Sequence, residues 1–302
     1  MSLHLRQFAA PALPQAAGNL PGIFMTVLGV FLFSGCNALA KHLVATYPVG
    51  EMLFVRSLTA LLMLAAFIGP REVAALRAGG RPGLHALRMA CSGIEVGCYY
   101  WALSAMQLAD TSTIYLAAPI YTVALSALFL REQVGWRRWA AVLTGFAGVI
   151  VALRPEAGVG GTLSVHALVA VAGSLLYAIS LVVTRRLRGT PNTLLVASQV
   201  LALLVFSLCT LPLGWVRPTL GEGALMVLVG AVSMIAYLCV NRGLQLAPAS
   251  VVAPFQYASI VWAVLLGYAA FGEVPAGATL AGAAIIVGAG LFILLRERAR
   301  RG

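Results

Sequence analysis

Nine acidic side chains occur in this 302-residue chain, and Glu95 is the acid that falls well inside an apolar run. A charge at mid-membrane depth costs about 2.5–3.5 kcal/mol on insertion scales, so it is expected to face a cavity or a partner. Arg88, Ser92, Glu95, Tyr99 and Ala102 recur at helical spacing and share one face. A second run repeats the theme with Ser233, Tyr237 and Asn241. Glu95 is therefore a candidate to hold the cationic group of a ligand, or a proton. A protonated carboxyl that only glues helices together is the competing reading. Ser34, Asn37 and Lys41 fall at i, i+3 and i+7 of an earlier run, and Ser174, Tyr177 and Ser180 share a later one. Singly, such groups serve as interhelical glue; as a set they are candidate substrate contacts. Tyr115, Gln256 and Tyr257 sit beside two prolines, Pro119 and Pro254, that interrupt apolar runs. Proline removes a helix donor and frees a carbonyl one turn back, which substrate or water can then use.

Other chemistry is thinly supplied. The chain has one aspartate, four histidines and five cysteines, with no C-x-x-C pair and no paired carboxylates. The cysteines (Cys36, Cys91, Cys98, Cys209, Cys239) lie in apolar segments and read as small packing residues. No metal, cofactor or catalytic constellation is expected, so an enzyme acting on lipid is disfavoured. The net charge of +11 comes without a long basic run or zinc-ligand spacing, and a nucleic-acid partner is not expected.

The positioning elements follow from composition. Hydrophobic residues make up 61% of the chain and charged residues 10%, against about 25% charged in a soluble domain. The lipid bilayer is the consistent solvent. Apolar runs near the roughly 20 residues needed to cross it predict ten spans. They lie at about 22–43, 49–69, 84–107, 110–130, 136–153, 163–184, 192–213, 223–244, 248–271 and 276–295. Pro48 and Pro191 are expected in first helical turns. Residues 1–21 read as a cytoplasmic tail, not a signal peptide, and 297–302 as a basic cytoplasmic tail. With both termini inside, sixteen of the twenty Lys and Arg residues fall in cytoplasmic segments and three outside, with Arg56 inside a span.

The chain also repeats itself. A shift of 138 positions lays Tyr99 on Tyr237, Leu108-Ala109 on Leu246-Ala247, and Ser112 on Ser250. Ten spans then divide into units at 22–155 and 160–296. Five is odd, so the second unit enters the membrane from the opposite side. Inverted repeats of this kind characterise secondary transporters. The expected fold is an all-α integral membrane protein with two inverted five-helix repeats around a central cavity. Spans five and ten carry the small-residue stretches LTGFAGVIVA and AGAAIIVGAG, and are read as packing or homodimer-contact elements. Glu132 and Glu273 end spans four and nine and are read as helix-end anchors.

LADTSTIYLAAPIYTVALSALFLRE and LAPASVVAPFQYASIVWAVLLGYAAFGE resemble the two signature segments of the EamA family, in the drug/metabolite transporter superfamily. Arg131 stands where that family usually has glycine, whereas Gly272-Glu273 keeps its pattern. The resemblance implies a cavity lined by spans one, three, four, six, eight and nine. The tyrosine-rich spans are similar to those of YddG-type amino-acid exporters. The implied function is export of amino acids, aromatic ones included, or similar small metabolites across the bacterial inner membrane. A cationic-drug exporter, and a membrane sensor or assembly subunit, are the alternatives. The partners implied are a small-molecule substrate and the bilayer.

Overall fold

The computed structural model describes residues 19–65, 82–130, 136–153, 164–187, 190–246 and 255–299. These residues are helical, with no strand among them. In chain order the helices are α1 (Asn19–Val44), α2 (Val49–Ala65), α3 (Pro82–Leu103), α4 (Leu108–Tyr115), α5 (Ala118–Leu130) and α6 (Trp136–Leu153). They continue with α7 (Val165–Arg186), α8 (Asn192–Thr210), α9 (Leu220–Leu246), α10 (Ala258–Phe271) and α11 (Gly277–Ala299). Each of the ten expected spans is met by a helix, and the fourth by two. Pro119 has no N–H to offer the Tyr115 carbonyl, so α4 stops, Leu116 and Ala117 turn, and α5 restarts with proline in its first turn. Pro48 and Pro191 lie one position earlier than expected, immediately before α2 and α8. Their carbonyls accept the first helical bonds, from Met52 and from Leu195. The N-terminal tail up to residue 18, Ser250, Pro254, Glu132 and the last three residues lie outside the described residues.

Four stretches are long and apolar enough to cross a membrane unaided: Leu20–Val44, Val165–Thr184, Thr193–Leu213 and Leu220–Val240. The apolar parts of α6, α10 and α11 are shorter. Large apolar side chains face outward all round. Leu62 and Leu143 are each 67% exposed, and Ile150, Leu201, Val205 and Leu265 are exposed as well. A water-soluble protein does not display such a belt, whereas hydrocarbon solvates it at no cost.

Packing is pairwise. α1 lies along α9, α3 along α7, and α6 along α11. α2 packs on α8 and α9, α3 also on α8, α10 on α1 and α4, and α5 on α7. With no hydrophobic drive between helices in lipid, small residues must let backbones approach. Between α6 and α11 they do: a Cβ on Gly282 would lie 2.7 Å from the Gly148 carbonyl oxygen and 2.7 Å from the Ala152 Cβ. The glycine-rich stretches of spans five and ten are thus packed on each other within one chain.

Polar ties complete the frame. Arg88 on α3 donates through Nε to Thr184 Oγ1 on α7 (2.8 Å), and through Nη1 to the Leu195 carbonyl (3.0 Å) and Ser198 Oγ (2.9 Å) on α8. The Ser92 and Ser180 hydroxyls share a hydrogen bond of 2.8 Å between α3 and α7. At the other ends of the helices, Glu273 gathers three elements. It ion-pairs with Lys41 of α1 and accepts from the Leu108 N–H at the start of α4 (3.0 Å), while Lys41 also donates to the Met106 carbonyl (2.7 Å). Gly272 makes this geometry possible. Its φ of 66° lies in the left-handed region that favours glycine, and it turns the chain so that the Glu273 N–H returns to the Gly267 carbonyl.

Two consequences are testable by thermal unfolding in detergent. G282V should wedge α6 from α11 and cost about 1–3 kcal/mol. R88Q should lose its ties to α7 and α8 and cost about 1–3 kcal/mol. R88K should not restore the loss, because an ammonium lacks the planar fork that reaches three acceptors. An unchanged midpoint for G282V would mean that α6 and α11 do not need the close approach, and one for R88Q that the three bonds carry no stability.

Candidate functional site

Glu95 lies eight residues before the end of α3, about 12 Å along the axis at 1.5 Å per residue. It is 6% exposed. Its backbone carbonyl accepts from the Tyr115 hydroxyl (2.9 Å), but among the described residues its carboxylate makes no hydrogen bond or ion pair. The side chains within its electrostatic reach include four of the tyrosines singled out in the sequence. They are Tyr99 on α3, Tyr115 at the end of α4, Tyr177 on α7 and Tyr237 on α9. Tyr99 packs edge-on against Tyr115, with ring centroids 4.8 Å apart. Tyr115 reaches this position because α4 ends there, and because Gly173 of α7 leaves room for its hydroxyl. Tyr237 is held by Gln199 Nε2 of α8, which donates to its hydroxyl (3.1 Å), and by an edge contact with Phe33 of α1.

A second charge shares this region. Arg56 lies seven residues into α2, about 10 Å from the same side as the α3 terminus at helical rise. It is 4% exposed, and its charge acts on Glu95 without forming an ion pair with it. Nε donates to Ser233 Oγ on α9 (3.2 Å), and the guanidinium carbon sits 5.1 Å over the Tyr100 ring. Tyr100 in turn donates to Asn37 Oδ1 on α1 (3.0 Å). Ser233 and Asn37 therefore enter the region through Arg56 and Tyr100. Cys36, next to Asn37, lines an apolar cleft of about 460 Å³ between α1, α9 and α10. Phe31, Leu39, Val232, Leu266 and Phe271 form its walls.

The remaining predicted residues lie elsewhere or are satisfied locally. Ser34 is buried and donates to the Val30 carbonyl of its own helix (3.0 Å). Tyr257 packs with Ala117, Tyr121 and Ile286, its hydroxyl against Gly290 of α11. Gln256 is half-buried just before α10. The Asn241 side chain lies outside the described residues, although its backbone is part of α9. Sequence reasoning passed over Arg56, Tyr100 and Gln199. A signal for Arg56 was present: it is an arginine inside a span, at a depth matching Glu95.

A partnerless carboxylate, a guanidinium and four tyrosines can bind a polar, partly aromatic solute. They offer no nucleophile–base pair, and no metal-ligating cluster occurs among the described residues.

The chain is similar to known transporters. The model of the EamA-like transporter family matches twice, over residues 20–154 and 165–295. The pseudopaline exporter of Pseudomonas aeruginosa is 30% identical over 270 residues, covering 88% of this chain and 93% of that protein. The riboflavin transporter of Rhizobium johnstonii is 30% identical over 284 residues, 92% of each. The S-adenosylmethionine uptake transporter of Rickettsia bellii is 24% identical over 280 residues, 92% of this chain and 94% of that one. A protein of known crystal structure, 22% identical, has the same fold with a TM-score of 0.64, covering 94% of this chain and 100% of its own. This chain is a multi-pass membrane protein that belongs to the EamA-like transporter family.

Proposed function

We propose that the chain is a secondary transporter that carries amino acids or similar small polar metabolites across a bacterial inner membrane by alternating access. The observation that carries this reading is the Glu95 carboxylate, buried at mid-span with no partner among the described residues, on a helix whose Tyr99 packs edge-on against Tyr115 and whose backbone at Glu95 accepts from the Tyr115 hydroxyl. A buried, unpaired acid is costly, and a transported solute that satisfies it gives a reason to keep it.

The inverted-repeat arrangement belongs to the same proposal. Exchange each span for the one five places later, and the most extensive helix pairings map onto one another. The α1–α9 pair becomes α7–α3, α2–α9 becomes α8–α3, and α1–α10 becomes α7–α5. The α2–α8, α4–α10 and α6–α11 pairs map onto themselves. Two units so related can swap conformations and open the region to either side in turn. The bias of Lys and Arg toward alternate loops supports cytoplasmic termini. The relatives include an exporter and uptake transporters. Net flux in our reading follows the substrate gradient, outward for a metabolite made in the cell. The cationic-drug alternative is weaker, because Arg56 places a positive charge in electrostatic reach of Glu95.

Purified protein in liposomes should exchange at least one labelled amino acid from a panel across the membrane. E95Q should abolish that exchange while leaving the thermal unfolding midpoint unchanged, since the carboxylate makes no bond to lose. Absence of flux for every compound, with and without a proton gradient, overturns the proposal.

A further inference from the structure

We infer that Arg56 and Glu95 are the two ends of a recognition site for a zwitterion, the guanidinium taking a carboxylate and Glu95 an amine. The inference rests on the carrier reading above and names the charge pattern of its substrate.

Most of the buried charges are already satisfied. Arg88 is bonded to Thr184, Leu195 and Ser198, and Lys41 is paired with Glu273. Glu51, at the start of α2, accepts from the Val216 N–H through Oε2 (2.8 Å), while its buried Oε1 has no donor among the described residues. Deep in the spans, Arg56 and Glu95 are left. Arg56 is fixed on two sides, by Ser233 and by the Tyr100 ring, but its Nη1 is buried with no acceptor. An orphaned guanidinium nitrogen in a low-dielectric interior carries a desolvation cost that nothing among the described residues offsets. Its planar fork fits a carboxylate through two parallel bonds. Among the described residues Glu95 is equally without a partner, and the Tyr99–Tyr115 ring pair, tied to the Glu95 backbone through the Tyr115 hydroxyl, offers aromatic faces to an ammonium.

Two opposite charges in electrostatic reach should close on each other in such surroundings. These two do not. Ser233 and Tyr100 hold the arginine to α9 and α3, and the Tyr100 hydroxyl is itself held by Asn37. Neither group satisfies the other, and a ligand that is positive at one end, negative at the other and neutral overall would satisfy both.

The test uses reconstituted protein and four labelled probes with one side chain. They are phenylalanine (zwitterion), its methyl ester (cation), N-acetylphenylalanine (anion) and phenethylamine (cation). Wild type should move phenylalanine at least roughly 30-fold faster than the other three, the cost expected for one end of a buried charge pair left unmatched. R56Q should lose phenylalanine flux and gain the ester; E95Q should lose it and gain the N-acetyl compound. R56K, which keeps the charge, controls for folding by its unfolding midpoint, and the four wild-type rates carry the test without any variant. Equal rates for ester and zwitterion in wild type, or phenylalanine flux unchanged in a folded R56Q, overturn the inference. Flux of cations or anions without any zwitterion overturns it too, yet leaves the carrier reading intact. No flux of these probes or of the wider panel overturns both.

Discussion

A charge buried where water is excluded needs a partner, and this constraint orders the described interior. Arg88 holds three helices because its guanidinium must be satisfied, and α3, α7 and α8 supply the acceptors. Lys41 and Glu273 satisfy each other and, in doing so, tie α1 to the start of α4 and the end of α10. The frame is built from such closed pairs. Among the described residues closure fails at Arg56 Nη1 and at Glu95, and also at Glu51 Oε1 near the start of α2.

Aromatic and small residues give that region its shape. Tyr115 reaches the α3 backbone only because α4 ends where Pro119 interrupts the span, and because α7 presents glycine opposite its hydroxyl. Gly148 and Gly282 bring α6 and α11 together away from the tyrosines. Rigidity and solvation are thus separated along the chain, with glycine where backbones meet and tyrosine where a solute could sit.

Much of this was legible in the sequence. Apolar length and the 138-residue shift located the spans, and helical spacing put Glu95 and Tyr99 on one face. The repeat pointed to Tyr237, which does lie in reach of Glu95. Arg56 was only half legible: its place inside a span marked it, but spacing within one helix says nothing about which helix will face it, and α2 meets α3 at the Tyr100 ring and α9 at Ser233. Tyr257 illustrates the same limit. It lies beside a proline, as Tyr115 does, but α10 begins only at Ala258 and the ring turns to α11. Where a helix starts fixes its angular register, and a break leaves that undetermined.

The open pair has an electrical consequence. With both groups ionised, Arg56 and Glu95 would add no net fixed charge to the region that the proposed carrier exposes first to one side and then to the other. A lone carboxylate carried through the field would couple the empty carrier's return to the membrane potential, at about 2.3 kcal/mol per elementary charge for each 100 mV. A matched pair removes that coupling. In the proposed carrier, an ionised pair would itself add no voltage dependence to that step.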